Sequence, residues 1–368
     1  MGSGSYTTRI AEPGRPAPYH AVMAVAATAV GPLRVGGLEL SSPVLVAPMV
    51  GITDAPCRAL CREFGAGLVS TEMVAAEAVV RSTDAALHLL DFPGDVTPVA
   101  AQLVGCDPAM MADAAQVCVE RGAVLVDVNL GCPVPKVVSR GSGAALARDV
   151  SATARLVAAM VQAVAVPVTV KMRLGWDAST INAPELARAL QDAGVAAVTV
   201  HGRTRCQKYE GTADWAEIAR VKEAVGIPVF GSGDVENVDT LARRIQSGVV
   251  DGVVIARGML GNFWFVRQAV HRLATGSGLP DLDFADRIAL ARRHLDMLCA
   301  YHGETRALRI GRKYVAWTIR GCAGAARLRA EVQTMDTRDR LDALLDRALA
   351  AGPHPEGWFR PAFVSGEG

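Results

Sequence analysis

The sequence predicts an α/β protein built on a (β/α)8 TIM barrel, followed by a smaller all-helical C-terminal domain. Eight short β-branched segments alternate with alanine-rich helical stretches between residues 44 and 255. These segments are apolar almost throughout, which is typical of parallel strands covered on both faces. After Leu279 and Pro280 they stop, and helical sequence continues with little glycine or proline. Eight strand–helix units at this spacing match the usual size of such a barrel.

The predicted strands mostly follow a helix that ends in glycine or proline. They span residues 44–47, 68–70, 99–103, 124–128, 167–172, 197–200, 228–230 and 252–255. A doubly wound open sheet is the alternative fold. Because no G-x-G-x-x-G motif follows the first strand and nothing marks a switch in strand order, the closed barrel is the better prediction.

These patterns also set the domain boundaries. Residues 1–34 are punctuated by Gly, Ser and Pro and show no apolar period, so we interpret them as a flexible tail. The barrel then spans 35–283, the helical domain 284–352, and a second tail 353–368. Between 284 and 330 the chain carries ten Lys or Arg against three Asp or Glu. Such a run is either a solvated helix face or a surface for a polyanion.

Composition excludes several classes of protein. A hydrophobic content of 51% rules out a disordered scaffold, and 38 Lys plus Arg against 37 Asp plus Glu rule out a uniformly basic nucleic-acid coat. The apolar runs are shorter than the roughly 20 residues that cross a bilayer. The eight cysteines form no C-x-x-C pair and no secretory signal precedes them. We therefore expect a cytoplasmic, monomeric protein that does not enter membranes.

Polar residues occupy the strand ends at which barrel enzymes hold their active sites. On strands three to six they are Gln102, Asn129, Lys171, Arg173, His201 and Arg203. Lys171 and Arg173 point to the same side of their strand, and His201 on the next strand completes a predicted positive cluster. Such charges would stabilise a cofactor whose ring becomes anionic on reduction, as flavin does. Gln102 and Asn129 would supply amide groups to the ring edge.

Glycine-rich turns follow the last two strands. The seventh strand ends in Gly231-Ser-Gly-Asp234 and the eighth in Ala256-Arg-Gly258. Barrels frequently bind a phosphate between these two loops, where glycine lets backbone N–H groups approach an anion closely. Arg257 adds a fixed positive charge. The two turns together predict a phosphate site.

Cys132 lies in a Gly-Cys-Pro turn just beyond strand four, so its thiol should project into the cleft. It lacks partners at the spacing of a metal site, and we expect no metal. Nucleophilic catalysis would require a spatially adjacent base, because no histidine neighbours it in sequence. A thiol is mostly protonated at neutral pH, so a proton donor is the role that these surroundings favour.

Taken together, these motifs resemble the tRNA-dihydrouridine synthases, most closely the bacterial B type, over about residues 35 to 335. The matching segments are 47–54 (APMVGITD), 129–136 (NLGCPVPK), 171–173 (KMR), 201–205 (HGRTR), 213–215 (ADW), 231–234 (GSGD), 261–262 (GN) with Trp264, and 312–313 (RK) with Trp317 and Gly321. The chain departs from the family's usual pattern at Ser232, Phe263 and Tyr314, where the family has Asn, Pro and often His.

The resemblance implies site residues of three kinds. FMN would be bound by Pro48, Met49, Val50, Gln102, Lys171, His201, Ser232, Gly233, Asp234, Ala256 and Arg257. Cys132 would be the catalytic acid. Substrate tRNA would be held by Asn129, Arg173, Arg203, Arg309, Arg312 and Lys313, the last three on the basic stretch of the helical domain.

The resemblance also implies the reaction. NADPH would reduce FMN, hydride from N5 of the flavin would add to C6 of a D-loop uracil, and Cys132 would protonate C5, giving 5,6-dihydrouridine. The uracil would have to be extruded from the folded tRNA. Similarity to the B type suggests position 17. The alternatives are an FMN-dependent reductase of a free pyrimidine or enone, and a tRNA-binding protein without redox activity.

Overall fold

The computed structural model describes residues 33–92 and 98–353. The tail predicted for 1–34 lies outside the described residues except for its last two positions. The tail predicted for 353–368 lies outside them except for Pro353.

Within the described residues, eight parallel strands form a closed barrel, which confirms the predicted fold class. The strands are β3 (Val44–Val46), β4 (Leu68–Ala75), β5 (Val99–Val104), β6 (Leu125–Leu130), β7 (Val168–Arg173), β8 (Ala197–His201), β9 (Val229–Ser232) and β10 (Gly252–Ile255). They pair in sequence order, and β10 closes the barrel on β3. Each contains the core of one predicted segment.

Helices surround the barrel and cover the outer faces of the strands. They are α1 (Ala55–Glu63), α2 (Ala76–Val80), α3 (Asp84–Leu89), α4 (Pro108–Glu120), α5 (Pro135–Val138), α6 (Val150–Ala163), α7 (Ala183–Asp192), α8 (Trp215–Ala224), α9 (Val238–Gln246) and α10 (Trp264–Thr275). Several begin at an aspartate whose carboxylate accepts a backbone N–H of the first turn, as Asp54 does for α1 and Asp107 for α4.

A short antiparallel hairpin, β1 (Leu33–Val35) and β2 (Leu38–Leu40), precedes the barrel. Its side chains Val35 and Leu40 pack with Leu45, Leu125 and other side chains of the barrel interior, near the amino ends of the strands. This hairpin was not predicted from the sequence, because two strands of three residues each are too short to show an alternating apolar pattern. It closes the end of the barrel opposite the active-site end.

The C-terminal domain consists of α11 (Phe284–His302), α12 (Glu304–Thr318), α13 (Ala325–Val332) and α14 (Arg338–Ala351). It packs on the barrel through α11 against α1. His302 lies 2.9 Å from the Asp54 carboxylate, and Arg293 is ion-paired with Glu63. None of the helices in the described part of the chain combines the length and apolar character that a membrane crossing requires.

Candidate active site

The carboxyl ends of the strands surround a cavity of about 460 Å³, a volume typical of small-molecule sites. Every residue predicted to hold a cofactor lines this cavity, as do Cys132, Asn129 and Arg173. The cofactor set comprises Pro48, Met49, Val50, Gln102, Lys171, His201, Ser232, Gly233, Asp234, Ala256 and Arg257. The barrel thus brings widely separated sequence positions into one pocket.

A chain of hydrogen bonds crosses β7, β6 and β5 beneath the cavity. The Asp127 carboxylate accepts from the Thr169 hydroxyl at 2.6 Å and from the Gln102 amide at 2.7 Å. Gln102 Oε1 accepts from Asn129 Nδ2 at 2.9 Å, and Asn129 Oδ1 accepts from the backbone N–H of Cys132 at 2.8 Å. The network fixes the orientation of both amides and positions the turn that carries Cys132.

Asp127 is a member of this network that the sequence analysis missed. Burial raises the pKa of its carboxyl group, and the hydrogen bonds from Thr169 and Gln102 and the charge of Lys171 oppose that effect. A signal was available, because Asp127 is the one charged residue in the segment Leu125–Leu130. A buried acid is rare unless it is paired or hydrogen-bonded.

Lys171 and His201 lie on neighbouring strands, and both have lowered pKa values. Burial, and then the positive charge of Arg173, lowers the pKa of Lys171 to about 8, against the opposing effect of Asp127. Burial, together with Lys171 and nearby arginines, lowers the pKa of His201 well below its usual value. The predicted positive cluster therefore needs correction. Near neutral pH Lys171 is charged but the His201 imidazole is neutral.

The Arg173 guanidinium is bound mainly to the protein itself. Its Nε donates to the Gly131 carbonyl at 2.8 Å, and its Nη1 donates to the carbonyls of Thr204 at 2.9 Å and Lys208 at 2.7 Å. Arg173 thereby joins the loops that follow β6 and β8. What it contributes to the cavity is chiefly positive charge.

The turns after β9 and β10 require glycine for steric reasons. A Cβ on Gly258 would lie 2.2 Å from the Val235 carbonyl oxygen, and one on Gly233, where φ is +115°, would lie 2.6 Å from Ala213 Cβ. The glycines let the two turns pack closely at the cavity wall beside Arg257. This is the arrangement expected of a phosphate-binding rim.

Arg203 does not line the cavity, although the resemblance implied a substrate contact. Its Nη2 donates to both oxygens of Asp234, at 2.8 and 2.9 Å, and its side chain is 3% exposed. The same carboxylate accepts the backbone N–H of Ala213 at 2.6 Å. Arg203 therefore supports the turn after β9 from outside the pocket.

Tyr209, in the loop after β8, lines the cavity and was not identified from the sequence. Its ring is 55% exposed. The Arg257 guanidinium lies 4.6 Å from the ring centroid and that of Arg173 lies 5.5 Å from it. An aromatic residue next to Lys208 in an active-site loop was the available signal. Tyr209 places a flat apolar surface between two cations at the mouth.

Cys132 lines the cavity and is half-buried, so its thiol is accessible to a bound molecule. Cys106 and Cys206 are exposed thiols that do not line it. The described residues contain no group of three His, Cys, Asp or Glu side chains that could hold a metal ion. The pocket therefore combines an accessible thiol, a buried cation and a neutral imidazole.

The helical domain contacts the mouth through α12. Lys313 donates from Nζ to the Gly51 carbonyl, and the Tyr314 hydroxyl donates to the Ile52 carbonyl at 2.7 Å. The Gly51 N–H in turn donates to Glu72 at 2.6 Å. Lys313, predicted to bind tRNA, therefore holds the loop after β3, and Trp317 from the same helix lines the cavity.

The other predicted tRNA contacts on α12 differ from each other. Arg312 donates from Nε to the Met335 carbonyl at 2.8 Å and is half-buried, whereas Arg309 is exposed. Elsewhere in the basic stretch, Arg292 pairs with Asp342 and Asp346. Much of the positive charge counted in the sequence is thus bound within the protein.

Comparisons with known proteins agree on one family. A sequence model of dihydrouridine synthases matches residues 45–351. The chain is 41% identical over 305 residues to a probable tRNA-dihydrouridine synthase of Rickettsia bellii, covering 83% of this chain and 94% of that protein. It is 40% identical over 321 residues to tRNA-dihydrouridine synthase B of Xanthomonas campestris pv. campestris, covering 85% and 97%.

Similarity to solved structures extends the comparison to the fold. Histamine dehydrogenase from Rhizobium sp. 4-9 superposes with a TM-score of 0.53 at 13% identity, over 66% of this chain and 48% of that one. A morphinone reductase variant in complex with tetrahydroNAD superposes with a TM-score of 0.51 at 14% identity, over 70% and 93%. At such low identity these likenesses show the fold alone. The match to the family model over most of the chain, together with the sequence identities, shows that this protein belongs to the dihydrouridine synthase family.

Proposed function

We propose that this protein reduces the C5=C6 bond of a D-loop uridine in tRNA to 5,6-dihydrouridine, with FMN as its cofactor and NADPH as the reductant. One observation carries the proposal. In this member of the dihydrouridine synthase family, Cys132 lines the same cavity as Lys171 and the glycine turns after β9 and β10. Position 17 is the uridine that the resemblance to the B type suggests. We place the reaction in the cytoplasm and treat the protein as a monomer.

The residues of the cavity fit FMN. The two glycine turns line the cavity together with Arg257 and suit the phosphate, because backbone without side chains lets N–H groups approach an anion closely. Gln102 and Asn129 are held in fixed orientations for the polar edge of the ring. Lys171 supplies positive charge where a reduced ring becomes anionic. Ser232, where the family usually has Asn, lines the same wall and retains a hydroxyl.

Bound FMN supplies the hydride that saturates C6 of the uracil. The protein must supply the proton for C5, where enolate charge develops because the C5=C6 bond is conjugated with the C4 carbonyl. Cys132 is the acid in reach of the cavity, and the Asn129 carboxamide fixes its turn by accepting the N–H groups of Gly131 and Cys132 at 3.1 and 2.8 Å. The thiol gives its proton to C5 and recovers one from water.

The test separates the two half-reactions in a Cys132→Ala variant. We expect dihydrouridine formation in unmodified tRNA to fall by about 10² to 10⁴, the usual contribution of a general acid. FMN content and reduction of the flavin by NADPH should be unchanged, since neither uses the thiol.

Cys106→Ala is the matched control, because that thiol is exposed and lies outside the cavity. Undiminished tRNA reduction by the Cys132 variant would remove the acid assignment. If the unaltered enzyme reduces free uridine or an enone but not tRNA, the small-molecule alternative is correct. If it binds tRNA but retains no flavin, it is a binding protein without redox activity.

A further inference from the structure

Three consecutive loops form the rim of the cavity on the side away from the helical domain. They follow β6, β7 and β8. In the closed strand order, β7 is four strands from β3 in either direction. The helical domain contacts the loop after β3 through Lys313 and Tyr314. The rim built by these three loops, which we call the far rim, therefore lies across the mouth from the helical domain.

The centre of the far rim is a tryptophan flanked by two arginines. The guanidinium carbon of Arg148 lies 4.7 Å from the Trp176 ring centroid, and that of Arg205 lies 4.5 Å from it. Two backbone hydrogen bonds join the loop that carries the ring to the loop after β8. The Trp176 carbonyl accepts the Cys206 N–H at 2.9 Å, and the Gly175 carbonyl accepts the Arg205 N–H at 2.9 Å. Two guanidinium groups thus lie against the same aromatic ring.

Further cations flank this stack. Lys136 and Arg140, after β6, and Lys208, after β8, are exposed. Across residues 33–92 and 98–353, neither these three nor the two stacked arginines form an ion pair with a carboxylate.

Three of the four acids of the same loops accept hydrogen bonds from neutral donors, and the fourth, Glu210, is exposed. Asp149 and Asp214 cap helices, accepting the backbone N–H groups of Ala152 at 2.9 Å and Glu217 at 3.0 Å. Asp177 accepts the Ser179 hydroxyl at 2.7 Å. The far rim therefore offers positive charge that the protein does not neutralise with these acids.

We propose that the far rim binds the phosphate backbone of the RNA substrate, so that the nucleic acid rests on both sides of the cavity. This inference builds on the proposed function. An anion beside Arg148 or Arg205 meets a guanidinium that stacking has already ordered, so little flexibility is lost on binding. Because the Trp176 ring is covered by the arginines, it does not serve as a stacking surface for a base.

Support on both sides suits the reaction. A base inside folded RNA is drawn out of its stack at the cost of a few kcal/mol. Phosphate contacts on opposite sides of the mouth hold the backbone flanking that nucleotide, and they do so without reading sequence. The helical domain alone contacts only one side.

The experiment compares the salt dependence of tRNA binding among charge-matched variants. Arg148→Gln with Arg205→Gln removes the stack, and Lys136→Gln with Arg140→Gln removes two exposed flanking cations without disturbing the loop core. The control is Arg155→Gln with Arg188→Gln, which removes two exposed arginines from α6 and α7 on the outside of the barrel. FMN content and NADPH-dependent flavin reduction verify that each variant is intact.

Each lost phosphate contact lowers the slope of log affinity against log salt by roughly 0.7 to 0.9. We expect the slope of each far-rim variant to fall by the contribution of one or two phosphate contacts. The control variant should have the slope of the unaltered protein. If the unaltered protein binds tRNA and all slopes agree, the far rim is not an RNA surface. If the unaltered protein does not bind tRNA at all, the proposed function itself fails.

Discussion

The cations around the barrel mouth and those of the helical domain have different partners. In the helical domain most arginines are paired with acids: Arg292 with Asp342 and Asp346, Arg338 with Asp296 and Asp342, Arg340 with Asp336, and Arg347 with Glu331. At the mouth Arg203 is paired with Asp234, but Arg173 and Arg205 meet aromatic rings and backbone carbonyls. Neutral partners leave positive charge available to a ligand, and acidic partners do not.

A count of charged residues within one stretch of sequence omits the acids that lie outside that stretch. The excess of basic residues between 284 and 330 is real, but several of the acids that neutralise it, including Glu331, Asp342 and Asp346, lie just beyond that window. Asp342 and Asp346 reach Arg292 because α14 packs on α11, whereas Glu331 pairs with Arg327 within α13. The helical domain is therefore a weaker electrostatic surface than its sequence suggests.

The largest expected contrast is in stability. Arg203→Met removes a buried guanidinium that donates to Asp234 and to the Glu210 and Gly211 carbonyls, and we expect a loss of about 3 kcal/mol, because these acceptors lose a charged donor. Arg340→Met removes an exposed partner of Asp336 and should cost about 0–1 kcal/mol. Denaturant titration of the two variants without added cofactor measures both. Equal losses of unfolding free energy in the two variants would show that the buried ion pair at the mouth contributes no more to stability than the exposed one.

The next prediction concerns FMN affinity, which should depend on cations at the barrel mouth and not on those of the helical domain. Arg257→Ala removes a charge-assisted contact to phosphate, worth roughly 1.5–3 kcal/mol, so FMN affinity should fall about tenfold or more. Arg309→Ala, which removes an exposed cation from α12, is the control and should leave FMN affinity unchanged. Titration of the apoprotein with FMN decides between them. Unchanged affinity in the Arg257 variant would place the phosphate elsewhere.

The pH dependence of catalysis tests the charge on Lys171. Its pKa is lowered to about 8 by burial and by Arg173, so the side chain is charged below that pH and becomes neutral as pH rises through it. If the charge stabilises the reduced cofactor, tRNA reduction should fall above pH 8 and approach about a tenfold loss per pH unit. Lys171→Arg keeps its charge throughout and should remove the part of this decline that Lys171 causes. A decline that persists unchanged in the arginine variant would belong to another group, the proposed general acid included.

Much of the architecture could be predicted because its signals are local. Each barrel strand is a continuous apolar segment bounded by glycine or proline, and the polar residues at its end belong to the same few positions. The closed barrel then places Gln102, Lys171, His201 and Arg257 around one cavity without further information. Prediction worked where the fold alone determines which residues meet.

It failed where the outcome depends on a partner distant in sequence. Arg203 was predicted to face substrate, but Asp234 holds it outside the pocket. His201 was counted as a charge, but burial among cations keeps it neutral. Lys313 reaches the Gly51 carbonyl across the domain boundary, a contact that was not predicted, and its contact with RNA stays a prediction. In each case the chemical type of the residue was interpreted correctly, but the residue that it contacts lies too far away in the sequence to be predicted.

The smallest expected effect distinguishes residues within the helical domain. Arg309 is exposed, whereas Arg312 donates to the Met335 carbonyl and Lys313 to the Gly51 carbonyl. Arg309→Ala should therefore lower the salt slope of tRNA binding by roughly 0.7 to 0.9, which amounts to about a threefold change in affinity between 50 and 200 mM salt.

Arg312→Ala should leave that slope unchanged and instead destabilise the domain by about 1–3 kcal/mol, because the buried Met335 carbonyl loses its donor. Binding isotherms at several salt concentrations, with denaturation of the same variants, separate the two roles. If the Arg312 and Arg309 variants lower the slope equally, the Arg312 side chain must leave Met335 to bind RNA. The helical domain would then contribute more available charge than its internal hydrogen bonds indicate, and the contrast with the barrel mouth would narrow.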